Sequence, residues 1–468
     1  MKIRWVLAIL PLLVGSIALL LFIEQPTTRE YRISPEATVS SYVFEYGLPN
    51  SDSGPMAITT DKLGKVWIGL GGIPGKSNVS VLAQFDPSKL TLLEYQIPEV
   101  RGAAQIWGLI SRDDGTIWFG EAKTNGIWEF NTTSLKFRKF PIPTPNAFPV
   151  QIAFGNSGKV WFTEVFANKI AVLDPTTGEI QEFAAPGPEA TPVGLAFDAD
   201  GRLWVTLARG KDPGIAVFDP KTNQFTEYKP PATIFLPTGI FVDSSKAIWF
   251  TQHFGTSKVS RYSVQQNELV DYVASPSAVH PDGIALPYWI SADRSGAIWF
   301  NEHFANRIAK LNPETGELIE YEIPADRIVN AVSFALDPAD NIWFVEWTEN
   351  KFGMIDTSVP IPFELGVRPS RVILEGGQET SISLFATGHS SSRLRFSVLA
   401  STDPVGQLVN LTASVNPPEL SLEDGKTVEA ILTLIADSDL QPGTYTLTVL
   451  AKESYVSVSV IIELNVVA

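Results

Sequence analysis

One pattern recurs seven times along this chain and limits what it can fold into: a short apolar run centred on tryptophan. The copies read KVWIG at Trp67, TIWFG at Trp118, KVWFT at Trp161, RLWVT at Trp204, AIWFT at Trp249, AIWFN at Trp299 and NIWFV at Trp343, spaced 43 to 51 residues apart. A period in the forties, built of short β-type runs between Gly, Asp and Pro turns, is the signature of propeller blades. The third copy shows one unit in full: PVQIAF, KVWFTE, NKIAVLD and EIQEFA give four short strands, one antiparallel blade. The 34 Gly, 34 Pro and 12 Trp fit many short elements better than long helices. The tryptophans are expected to pack between neighbouring blades, because aromatics dominate buried area.

A second marker falls on the fourth strands, an acidic residue followed by an aromatic: Glu94-Tyr95, Glu182-Phe183, Glu227-Tyr228, Asp271-Tyr272 and Glu320-Tyr321, with Lys139-Phe140 in the second blade. None clearly follows Trp343, but Glu45-Tyr46 precedes the first Trp strand. Residues 41–48 are therefore expected to supply the outer strand of the last blade, beside residues 351–356, closing the ring and removing an exposed edge. The propeller is assigned to 41–357, with 25–40 and 358–368 as linkers. Residues 369–468 hold alternating runs such as TSISLFATG and GTYTLTVLA, read as an immunoglobulin-like β-sandwich.

The remaining composition sets bounds on function. A net charge of −16 argues against nucleic acid, which needs clustered Lys and Arg. With no cysteine, any metal must be held by carboxylate, amide, carbonyl or His. Residues 5–23 carry no charge, follow Lys2 and Arg4, and are long enough to span a bilayer. Residues 1–24 are read as a signal anchor, with the bulk outside the cytoplasm; a cleaved signal peptide is the alternative. Sequons at Asn78, Asn131 and Asn410 agree with an exterior setting. The oligomeric state is not specified by these patterns.

Candidate chemistry gathers after the Trp strands, whose loops open on the same end of the ring as those leading into each first strand. The third residue after Trp is Glu121, Glu164, Glu302 or Glu346 in four copies, and each is followed at the seventh by Asn125, Asn168, Asn306 or Asn350. A pair repeated around a ring reads as a turn device, the carboxylate accepting turn N–H groups and Asn suiting the turn itself. Histidine departs from the repeat. His253 and His303 take the fourth position after Trp in adjacent copies, and an elongated loop between them holds His280 and Asp282. Such a cluster suits general acid–base work or a divalent cation, Mg2+ or Ca2+; the alternative is polar turn residues. His389 reads as a loop residue of the sandwich.

The IWFTE…NKI pattern, with EY-x-IP between strands, resembles the virginiamycin B lyase (streptogramin lyase) family over about residues 41–357. The resemblance implies a seven-bladed propeller that opens a cyclic depsipeptide at an ester by elimination, with magnesium. It also implies acting histidines in Pro-His-Ala/Gly-Ile motifs at the start of the last two blades. Here the sixth slot is read at Pro281-Asp282-Gly283-Ile284 and the seventh at Val329-Asn330-Ala331-Val332, neither with His. The expected site is thus His253, His280 and His303 as acid–base candidates, with Asp282, Glu302, Glu346 and Asn330 as metal ligands. Two functions compete: a metal-dependent lyase or hydrolase of cyclic esters or lactones, and a non-enzymatic propeller that holds a peptide, glycan or protein, with Tyr288 and Trp347 at its rim.

Overall fold

Each Trp run becomes the second strand of a four-stranded antiparallel sheet. The computed structural model describes residues 27–37, 40–72, 78–253, 257–400 and 409–467; the anchor read at 1–24 lies outside them. Seven such sheets, here blades one to seven, start at residues 55, 106, 149, 192, 237, 287 and 334. The chain is all-β, and no helix of the described residues is long and apolar enough to cross a membrane.

The tryptophans are held at both ends of their indoles. All seven side chains are buried in the clusters between blades. Burying an indole leaves its N–H in need of an acceptor. In five blades the carboxylate six residues earlier supplies it: Asp61, Asp198, Asp243, Asp293 and Asp337 accept from Trp67, Trp204, Trp249, Trp299 and Trp343 at 2.8–3.1 Å. Asp243 also accepts the N–H groups of Ser245 and Ala247, so one carboxylate fixes the turn and the core residue together. Adjacent blades are joined at the strand ends. Thr163, Thr206 and Thr251 each donate from the second position after Trp to a carbonyl of the next blade's first strand, and Asn301 to the carbonyl of Ala331 just before it, at 2.5–3.0 Å.

The ring closes with the N-terminal strand. Val43–Gly47 pairs antiparallel with Lys351–Ile355, in the register Glu45↔Gly353. Two expectations about the linkers are corrected. Within 25–40, Thr28–Arg32 is a strand that pairs with Thr91–Gln96 and widens blade one to five strands. Within 358–368, Phe363–Arg368 is a strand whose alternate residues Phe363 and Leu365 are buried. The prolines at 360 and 362 masked that alternation.

Beyond residue 363 two sheets enclose one apolar cluster that includes Leu384, Leu432, Leu447 and Leu464. One sheet is four-stranded and ordered Phe363–Arg368, Glu379–Gly388, Thr427–Ala436, Leu411–Asn416. The other is built on the long Val456–Val467 strand, which pairs with Gly443–Glu453 and, in parallel, with Arg371–Glu375. The first residues of that strand also pair with Leu318–Glu322, the outer strand of blade six. Blade six and the C-terminal module therefore share one continuous sheet.

Candidate functional site

The register Pro287↔Glu302 confirms that the loop after each Trp strand and the loop before each first strand lie at one end of the ring. His253 and His303 follow the second strands of blades five and six at the same position, so ring symmetry brings them together. Their rings stack nearly parallel, with centroids 4.9 Å apart and 12° between planes. Tyr288 lies 4.9 Å from His253 and 6.0 Å from His303. The Nδ1 of His303 is 2.6 Å from Oδ1 of Asn330, and Nδ1 of His253 is 3.3 Å from the carbonyl of Pro287. An amide oxygen can only accept, so His303 donates from Nδ1 and carries a bare lone pair on Nε2. That Nε2 is buried and has no partner. Burial first, and for His303 the neighbouring His253 as well, lowers both imidazoles, His253 to about 4 and His303 to about 3. Both rings are neutral at physiological pH.

The structure brings together some of the expected residues and separates others. His280 stands one ring away: it stacks on Phe304 at 5.4 Å, and Phe304 lies 4.5 Å from His303. Asp282 is exposed, and its N–H donates to Nδ1 of His280. The family slot was misplaced in blade six. The first strand begins at Pro287, so the slot reads Pro287-Tyr288-Trp289-Ile290, and Pro281–Ile284 belongs to the inserted loop. By the same register, Ile290 opposing Phe300 and Phe334 opposing Phe344, the seventh slot is Ala331-Val332-Ser333-Phe334. Asn330 precedes it in a left-handed conformation, φ +57°, as Leu286 does at +50° in blade six. Tyr288 and Val332 thus stand where the family motif has histidine.

The four carboxylates do not behave alike. Glu121 accepts from the N–H of Lys123 and Thr124, as a turn device would. Glu302 instead pairs with Arg307 at 2.7 Å, and Arg307 also faces Glu320 at 3.9 Å. Blade three repeats this with Lys169 bound to Glu182 beside Glu164, and blade seven with Lys351 bound to Glu45 beside Glu346. These are acid–base–acid sets, buried in blade six and half-buried in blades three and seven, formed because a hairpin carries the residue five after each Glu onto the next strand. Both oxygens of Glu164 and Glu346, and Oε1 of Glu302, are buried without partners. Burial foremost, opposed by the neighbouring cation and reinforced by the second carboxylate, raises Glu164 and Glu302 to about 8. The asparagines match their reading. Asn306 donates to the carbonyl of Arg327 and accepts from Val329, and Asn125, Asn168 and Asn350 make the same clip, all with positive φ.

The expected metal set is not assembled. Glu302 pairs with Arg307 through one oxygen, Asn330 faces His303, Glu346 lies beside the Lys351–Glu45 pair in blade seven, and Asp282 faces solvent. Among the described residues no group of three or more His, Asp or Glu side chains is disposed to hold a metal ion. The residues expected as ligands are therefore not gathered around one point, as a shared metal site would need.

An aromatic band crosses the same face. Phe166 stacks on Phe148 at 4.2 Å, Phe148 meets Trp107 at 6.3 Å, and Trp107 meets Trp347 at 6.4 Å. The backbone N–H of Trp347 then donates to the carbonyl of Asn330 at 3.3 Å, and the side chain of Asn330 leads to His303, His253 and Tyr288. Phe166 is 70% exposed, and the indole N–H groups of Trp107 and Trp347 have no partners. Trp107 was missed in the sequence, although it had a signal. The second residue of each blade's slot reads Met56, Trp107, Val150, Val193, Thr238, Tyr288 and Val332, and only two of these are aromatic.

The protonated carboxyls have a measurable consequence. An acid raised from 4.5 to about 8 in the fold binds its proton more tightly there than in the unfolded chain. Its contribution is complete below pH 4.5 and is lost as pH rises through 8. Glu164 alone lowers stability by up to about 1.4 kcal/mol per pH unit across that window. Thermal unfolding of Glu164→Gln is expected to lose less stability than the wild type between pH 5.5 and 8.5; equal losses would show that Glu164 is ionised throughout.

Comparison with known proteins follows this geometry. The sequence model of the virginiamycin B lyase family matches residues 37–288, and the match ends at Tyr288, inside the blade-six slot. Virginiamycin B lyase from Staphylococcus aureus superposes with a TM-score of 0.57 at 28% identity, covering 67% of this chain and 98% of that one. A streptogramin B lyase structure gives 0.58 at 27% identity, with 67% and 97% covered. A catalytically inactive His-to-Ala variant of the S. aureus enzyme, solved with quinupristin, gives 0.57 at 26%, with 67% and 98% covered. No curated protein sequence matches significantly.

Proposed function

The chain belongs to the virginiamycin B lyase family, and on that footing we propose that it is a ligand-binding propeller that holds a cyclic peptide or ester at its loop face. The observation that carries this reading is the continuous band from Phe166 through Trp107 and Trp347 to the His253–His303 pair and Tyr288. Aromatic faces bind apolar or ring-bearing parts of a ligand at small entropic cost. The indole N–H groups of Trp107 and Trp347 and Nε2 of His303 are buried without partners, so a ligand group that reached them would relieve an unpaired donor or acceptor. This reading is preferred to the metal-dependent elimination of the lyases because the slots for the acting histidines hold Tyr288 and Val332 and the residues expected as metal ligands are dispersed. Residues 5–23 and the two-sheet module support a tethered, extracytoplasmic setting with an immunoglobulin-like module, testable by protease accessibility on intact cells.

Quinupristin is a suitable first probe, since a relative was solved with it. Binding is read by quenching of tryptophan fluorescence. Tyr288→Ala is expected to weaken it at least about tenfold, about 1.4 kcal/mol, with an unchanged melting point. Undiminished affinity in Tyr288→Ala would move the site elsewhere.

A second reading has one observation in its favour. His303 is oriented by Asn330 with its other nitrogen bare, the arrangement of a general base. In that case His303→Gln would abolish a slow, metal-independent turnover of ester or lactone substrates, while binding survives. A wild type without turnover on such substrates leaves binding alone.

A further inference from the structure

The solved lyases are covered over 97–98% of their length by two-thirds of this chain, so the C-terminal module lies beyond what they share with it. The structure places that module's first contact with the propeller under the candidate site. We infer that the C-terminal strand Val456–Val467 is a positioning element of the site, acting through Ser457 on the side chains that hold His303 and the His280 loop. This rests on the reading of that face as the ligand site.

The path is made of buried polar contacts. Ser457 donates its hydroxyl to Oε2 of Glu320 at 2.8 Å. Glu320 is 1% exposed and accepts from the N–H of Ser275 at 2.7 Å and from its hydroxyl. Arg307 lies between Glu320 and Glu302, bonds to Glu302 at 2.7 Å, and donates to the carbonyls of Ser275 and Pro276. Glu302 directly precedes His303. Ser275 and Pro276 begin the inserted loop, where Ser277 donates to the carbonyl of Phe304 at 2.7 Å and accepts from the N–H of His280. Phe304 stands between the two imidazoles.

The surrounding contacts fix the strand in place. Val456 is buried with Tyr42, Trp299 and Tyr321, the N–H of Glu322 donates to the carbonyl of Tyr455 at 2.9 Å, and Lys452 pairs with Glu322 at the rim. A buried carboxylate whose bonds are all satisfied holds its neighbours rigidly; removing one donor lets the set readjust. In the other blades with such a set the outer strand is the edge of its sheet. Blade six alone among the described blades has its outer strand paired with the C-terminal module.

The test uses full-length protein with 13C-labelled histidine, whose four imidazole signals report each site separately. Ser457→Ala is expected to shift the signals of His303 and His280, leave His389 in place, and weaken quinupristin binding at least about threefold. Glu320 keeps Ser275 and Arg307, so the fold survives the change. Lys452→Ala, which breaks only the rim pair, is expected to move neither signal. Unmoved His303 and His280 signals in Ser457→Ala would overturn the inference, as would equal shifts in Lys452→Ala. Shifted signals in a protein that never binds quinupristin would support the positioning role and remove the ligand reading instead.

Discussion

Deleting residues 41–49 is expected to abolish the cooperative thermal transition of the whole ring. The segment supplies the outer strand of blade seven, so its loss exposes the backbone of Lys351–Ile355 as an open edge. It also removes Tyr46, which is 6% exposed and packs on Phe85, Trp343 and Phe352 at 5.0–5.9 Å, across the seam between the first and last blades. The salt bridge of Glu45 with Lys351 goes with it. The seam is the one place where the ring is joined between the two ends of the propeller chain, so no covalent neighbour replaces it. A milder probe of the same seam is Tyr46→Ala, expected to cost about 3–5 kcal/mol, the usual range for an aromatic truncated in a core. Circular dichroism melts and size exclusion read both. A deletion variant that melts like the wild type and elutes at the same volume would show that the seam carries no stability.

Arg307→Ala is expected to be the most damaging single charge removal at the site, at about 3–5 kcal/mol. The guanidinium is buried between Glu302 and Glu320 and also serves two carbonyls. Without it two carboxyls remain close together in a low-dielectric setting, and both carbonyls of the loop base lose a donor. The penalty comes mostly from what is left unpaired. Combining Arg307→Met with Glu302→Gln and Glu320→Gln should therefore recover much of the loss. Chemical denaturation of the single and triple variants decides this. A triple variant no more stable than Arg307→Ala would mean that the ion pairs themselves provide the stability.

The ring was legible because its two markers are periodic and physical. The Trp spacing gave the blades, and the displaced Glu45-Tyr46 marker gave the closure. The His253–His303 contact also follows from the repeat, since the same position in adjacent blades must converge. The carboxylates were half legible. Glu121 serves its turn, whereas Glu302 pairs with the basic residue five positions on, and Glu164 and Glu346 lie beside theirs, which bind a second carboxylate instead. That spacing was present in the sequence but unread. Asp282 was misassigned because the insertion moved the slot six residues along, and only the register with Glu302 locates Pro287. The pairing of Ser457 with Glu320 left no local signal at all, because it joins residues 137 positions apart.

The central claim is that the loop face binds its ligand without the family's metal-dependent ring opening. Isothermal titration of quinupristin into the full-length protein in the presence of a chelator, followed by chromatography of the recovered ligand, tests it most directly. The account predicts saturable one-site binding that the chelator does not weaken, with the ligand recovered at its original retention time. Absence of binding, or conversion of the ligand that magnesium restores, would contradict it.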